Sequence, residues 1–190
     1  GKLASTSPDA IVLGRAVFAV AALVLFALWA RNPLAAGLTG KRLASLLLCG
    51  VFLAIHWLTF FHAIKLSGVG IATLGFASFP AFVVMLEAVF WREKPSASDL
   101  LKVALVCAGL LLIPPQFDLA ASNTTGLLWA ILSGFCFAAV SVGNRLTSGQ
   151  LHPVQIACWQ NLVVMASVLP FGASAMLEMP ALDWLWIGLL

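Results

Sequence analysis

The stretch from Arg42 to Pro95 constrains this chain most. It holds two apolar segments, Leu43 to Lys65 and Val69 to Trp91, joined by the short Leu66-Ser67-Gly68 connection. Each is about as long as the roughly 20 residues an α-helix needs to cross a bilayer, and Lys and Arg close the pair at both ends. The pattern predicts a transmembrane hairpin. His56, Glu87 and the mid-helix Pro80 interrupt its apolar surface, and inside hydrocarbon such groups need partners from protein or water.

Composition extends this reading to the whole chain. Of 190 residues, 62% are hydrophobic and 9% charged, against roughly 25% charged in a soluble domain, so the polar residues cannot cover a water-facing surface. The chain reads as an all-α integral membrane protein in contact with the lipid bilayer. Its net charge of +3 is not gathered into a basic tail or aromatic-interleaved patch, which argues against a nucleic-acid partner. Cys49, Cys107, Cys136 and Cys158 are scattered, with no C-x-x-C or Cys/His pairing. They indicate neither a disulfide framework nor a metal site, and no cofactor is expected.

Further apolar segments run from Asp9 to Ala30 after the helix-opening Pro8, then Ala97 to Ile113, Gly126 to Leu146 and Val154 to Phe171, with breaks at turn residues such as His152-Pro153 and at Pro170. With the hairpin these make six complete spans, followed by the apolar run Leu182 to Leu190. The start at Gly1 without an initiator Met and the end inside an apolar run lead to the expectation of a piece of a longer protein. Alternate loops hold Arg31, Lys41 and Arg42, then Arg92, Lys94 and Lys102, then Arg145, while the intervening ones hold only Lys2 and Lys65. The bias places the first set in the cytoplasm.

Two patterns bear on architecture. Pro8 with Arg15 and Pro153 with Gln160 share one spacing, and an odd number of spans separates them, as in the inverted-topology repeats of secondary transporters. Gly126, Ala130, Gly134 and Ala138 form an unbroken small-x-x-x-small line, and Thr73, Ala77 and Ala81 a shorter one, both suited to close helix packing.

The chain resembles the drug/metabolite transporter superfamily, specifically the ten-helix EamA-type permeases. The matching residues are Ser7-Pro8 with Arg15, the Trp57-x2-Phe60-Phe61-x-Ala63-Ile64 run, Ser78-Phe79-Pro80, Glu93-Lys94 and Gly126. The resemblance implies a polytopic bundle of two inverted five-helix repeats, truncated at both ends and covering family helices two to eight. Residues 1–116 would be the first repeat and 117–190 the second. It also implies proton-linked or facilitated export of a small metabolite, often an amino acid, across a bacterial inner (plasma) membrane.

The candidate substrate-binding residues are Arg15, His56, Trp57, Trp159, Gln160 and Asn161. Rise arithmetic puts Arg15 and His56 within roughly 10 Å of the midplane on its outer side and Gln160 and Asn161 slightly inside it, with Trp57 and Trp159 at that depth. A charged Arg there costs roughly 2.5 to 3.5 kcal/mol on insertion scales and should face a wet cavity or a partner. It could hold a substrate carboxylate or phosphate, or bond backbone carbonyls at a helix break. His56 is able to change charge near neutral pH, which would suit proton coupling. Phe60, Phe61, Phe76 and Phe79 are candidates to line an apolar pocket. A non-transporting membrane scaffold and an intramembrane enzyme are the competing functions. The enzyme is disfavoured because the aspartates lie at segment ends and Ser133 has no His expected at a partner depth, so the chain is not read as an enzyme.

Overall fold

The computed structural model describes residues 7–92, 94–111 and 122–188, and every regular element among them is an α-helix. In chain order these are α1 (Pro8–Trp29), α2 (Gly40–Phe76), α3 (Phe79–Trp91), α4 (Ala97–Leu111), α5 (Ser122–Thr147), α6 (Pro153–Leu177) and α7 (Ala181–Gly188). Of the described helices α1, α2, α5 and α6 are long and apolar enough to cross a membrane. The chain forms two compact units, one built from the part up to Ala54 together with Gly143 onward, the other from Ile55–Val142. The expected repeat boundary at 116/117 lies outside the described residues, as do Glu93 and the end of the expected span at Ile113.

In the first unit α1 opens as its sequence indicates. Ser7 caps it by accepting from the Ala10 amide at 3.3 Å, with Pro8 in the first turn, where a missing N–H costs nothing. Its early residues Ala10, Ile11, Val12 and Leu13 are almost wholly buried, because α1 packs against both α6 and α7. The contacts are close enough to demand glycine. A Cβ on Gly172 would lie 2.9 Å from the Asp9 carbonyl oxygen, and one on Gly14 would lie 2.9 Å from Ile187. α6 opens at Pro153 behind a His152 cap. The expected break at Pro170 is corrected: α6 continues through it to Leu177. The ring removes one backbone donor, and the residue lies on an exposed face of the helix.

In the second unit the expected hairpin forms. Gly68, at φ 82° and ψ 169°, divides α2 into arms 40–67 and 69–76. α5 runs antiparallel to the first arm and parallel to the second. A Cβ on Gly126 would strike Ser67, one on Gly75 would lie 2.6 Å from Ala130 Cβ, and one on Gly134 would lie 2.7 Å from Ser78 Oγ. The line Gly126, Ala130, Gly134 and Ala138 is therefore the face that enters the hairpin, and all four are buried. The shorter line is corrected. Thr73 and Ala77 are exposed, and the hairpin's second arm meets α5 through Ala72 and Gly75 instead.

The expected second span, Val69 to Trp91, is not continuous. It tightens at Ala77-Ser78 into turn geometry, with the Ser78 amide donating to the Gly75 carbonyl at 3.2 Å, and restarts as α3 with Pro80 in its first turn. Pro80 is thus a helix opener and not a mid-helix residue. At the other end of α3, Ser96 and Asp99 cap α4 reciprocally: each amide donates to the other's side-chain oxygen at 3.2 Å.

Candidate functional site

The hairpin and α5 place a polar pair at the centre of the second unit. His56, on the first arm of α2, is buried, and its Nδ1 lies 2.8 Å from Ser133 Oγ and 3.2 Å from the Ser133 carbonyl oxygen. Ser133 Oγ lies 3.1 Å from the His56 carbonyl oxygen. One tautomer satisfies all three contacts: Nδ1–H donates to both oxygens of Ser133, and the Ser133 hydroxyl donates back to the His56 carbonyl. That carbonyl also accepts from Thr59 Oγ1 at 3.1 Å.

Aromatic rings enclose the imidazole. Trp57 and Phe137 have centroids 4.9 Å from it, Phe76 5.2 Å and Phe60 6.1 Å, and Phe79 stacks on Phe76 at 5.3 Å. The interruption at Ala77-Ser78 borders this cluster. Ser78, itself buried, donates its hydroxyl to the Gly75 carbonyl at 2.7 Å, and Gly134 approaches the Phe76 carbonyl closely. Buried polar groups in a broken span, with their hydrogen bonds met inside the protein, are the arrangement a membrane interior requires.

Sequence reasoning missed Ser133 and Phe137. The expectation that Ser133 has no histidine within reach is overturned: α5 enters the hairpin on small residues, and that close approach brings Ser133 onto His56. Ser133 is completely buried, and in the tautomer that satisfies all three contacts its hydroxyl donates to the His56 carbonyl.

Among the other expected site residues, Arg15, Trp159, Gln160 and Asn161 belong to the first unit and His56 and Trp57 to the second. Arg15 is partly buried on α1 between the buried Gly14 and Ala16. Gln160 is buried on α6 and donates to Asn144 Oδ1 of α5. Trp159 donates its indole N–H to the Leu34 carbonyl at 2.9 Å. Asn161 turns back on its own helix and donates to the Ala157 carbonyl at 2.9 Å. Glycines bring these helices together: a Cβ on Gly50 would lie 2.5 Å from Val163 Cβ, and one on Gly143 would strike Cys49 Sγ. Among the described residues, no cluster of His, Cys, Asp and Glu could hold a metal.

Long apolar helices, small-residue packing and polar groups gathered inside a broken hairpin define a multi-pass helical membrane protein. The chain belongs to the EamA-like transporter family, whose model matches residues 1–114. It is 28% identical over 116 residues to an uncharacterized transporter of Archaeoglobus fulgidus, covering 61% of this chain and 41% of that protein. It is 25% identical over 135 residues to the uncharacterized transporter YxxF of Bacillus subtilis, covering 68% of this chain and 43% of that protein. The chain thus spans less than half the length of these curated relatives. No solved structure matches it significantly.

Proposed function

We propose that the whole protein is a secondary transporter that exports or exchanges a small metabolite across the bacterial inner membrane by alternating access between two inverted repeats. The substrate class is an amino acid or a similar molecule with an anionic group and an apolar or aromatic body. The observation that carries this reading is the broken second span at Ala77-Ser78 beside the buried His56–Ser133 pair. Discontinuous helices at membrane depth are where secondary transporters place substrate and coupling-ion sites. Family membership over residues 1–114 supports the class. The shared helix openings at Pro8 and Pro153 support the repeat, since they put Arg15 and Gln160 at matching distances from their helix starts.

In this reading Arg15 holds the substrate anion through the planar fork of its guanidinium, and Gln160, Asn161 and Trp159 of the same unit supply neutral amides and an apolar ring. His56, held at Nδ1 by Ser133, is the residue that changes charge in a coupled cycle. The test is flux in proteoliposomes of the whole protein, normalised to detergent-stable monomer. Arg15→Lys keeps the charge and loses two-point bonding, so normalised flux falls; Arg15→Gln falls further. An unchanged ratio for Arg15→Gln, with reduced monomer yield, would make Arg15 a structural residue and end the clamp.

A further inference from the structure

The loop between α1 and α2, residues 30–39, is tied at its ends to the flanking helices, with Asn32 donating to the Ala27 carbonyl at 2.8 Å and Thr39 accepting from the Leu43 amide at 2.9 Å, and between them it makes two local turns, Ala36 to Pro33 at 3.2 Å and Leu38 to Ala35 at 3.4 Å. Side chains from elsewhere hold it. Gln155, buried in the first turn of α6, donates both amide hydrogens to it, to the Leu34 carbonyl at 2.8 Å and the Ala36 carbonyl at 2.9 Å. Trp159, one turn further along α6, adds its single N–H to the same Leu34 carbonyl. Gly37, at φ 69°, lets the loop settle against Gln150 and Leu151 of the α5–α6 connection. Arg42 fastens the far end, donating from Nη1 to the Gly37 carbonyl at 2.6 Å and from Nε to Gln150 Oε1 at 2.9 Å.

These bonds share a direction. The loop and Arg42 belong to the part of the chain read as the first repeat, while Gln150, Gln155 and Trp159 belong to the part read as the second. Bonds joining the two repeats at one membrane face must break when that face opens. We propose that residues 30–39 are a strap that locks this face shut, with Gln155 and Trp159 as its clasp and Arg42–Gln150 as its outer fastening; the proposal rests on the transport reading above. The clasp suits a cyclic device. It grips backbone carbonyls through a few neutral hydrogen bonds, and each such bond shifts an equilibrium by only roughly fivefold. Such a lock is firm when assembled and releases without large cost.

The test uses the whole protein with the exposed Cys107 replaced by Ser. Arg42→Cys and Gln150→Cys are introduced together, and counterflow of a labelled metabolite is measured before treatment, after joining the thiols with a reducible bifunctional reagent, and after reduction. The strap predicts flux that vanishes on cross-linking and returns on reduction. Cross-linked protein that transports at the untreated rate overturns it. A second arm keeps the fastening intact: Trp159→Phe removes one N–H and retains the ring, and should speed labelling of a Leu151→Cys thiol, now covered, by an impermeant maleimide severalfold at unchanged monomer yield. Unchanged labelling also overturns the strap. Absence of flux before any cross-linking would sink the transport reading instead, and the labelling arm then judges the strap alone.

Discussion

Gly68 and Gly70 lie two residues apart on α2, and the same substitution at each should act in opposite directions. At Gly68 the backbone sits at φ 82° and ψ 169°, a region essentially closed to residues with a Cβ, while nothing lies within 4 Å of the position a Cβ would take. Gly68→Ala therefore meets no neighbour, and its whole cost is backbone strain, roughly 1 to 3 kcal/mol. Gly70 also has open space around it but lies in the helical second arm. There Gly70→Ala relieves the flexibility of glycine within a helix and stabilises by roughly 0.5 to 1 kcal/mol. The assay is reversible unfolding of the whole protein in mixed micelles by SDS titration, followed by helical circular dichroism. If Gly68→Ala is as stable as the parent, the chain does not reverse at Gly68 in this conformation and the hairpin argument fails.

Three further outcomes follow from the same packing. Gly134→Ala puts a methyl 2.7 Å from Ser78 Oγ and 3.2 Å from the Phe76 carbonyl oxygen, so the same titration should show overpacking of about 1 to 3 kcal/mol, far more than for Gly70→Ala. Ser133→Ala removes bonds whose partners keep others, since the His56 carbonyl still accepts from Thr59 and Nδ1 still reaches the Ser133 carbonyl. Its cost should stay near the roughly 0.6 to 1.7 kcal/mol measured for hydrogen bonds within membranes, and a loss of several kcal/mol would show that the tautomer is assigned wrongly. In a cysteine-free background, Ser122→Cys should react with impermeant maleimide added outside intact cells and Ser96→Cys should not; the reverse pattern would invert the assigned orientation.

The hairpin was legible because its apolar segments are long and a glycine sits between them, and the α5 line was legible because small residues recur every fourth position. The break at Ala77-Ser78 was half legible through Pro80, which marks a place where a backbone bond is lost without saying whether a helix kinks there or begins anew. Pro170 carries the same mark, yet α6 runs through it to Leu177. The His56–Ser133 pair was hidden for another reason. Depth counted along straight helices ignores how far one helix can sink between two others, and that is decided by Gly126 and Gly134 together with the turn at Gly68. Gln155 reads as an ordinary polar residue at a helix start, and its grip on Leu34 and Ala36 follows only from the path of a loop distant in sequence.

The central claim is transport by alternating access, and counterflow tests it most directly. The whole protein is reconstituted, loaded with an unlabelled metabolite pool, and given a trace of labelled amino acids outside. The account predicts transient uptake above equilibrium that needs the internal substrate and saturates with the external one. Uptake that is absent from vesicles holding folded protein, or that rises linearly without saturation or dependence on the internal pool, would contradict it.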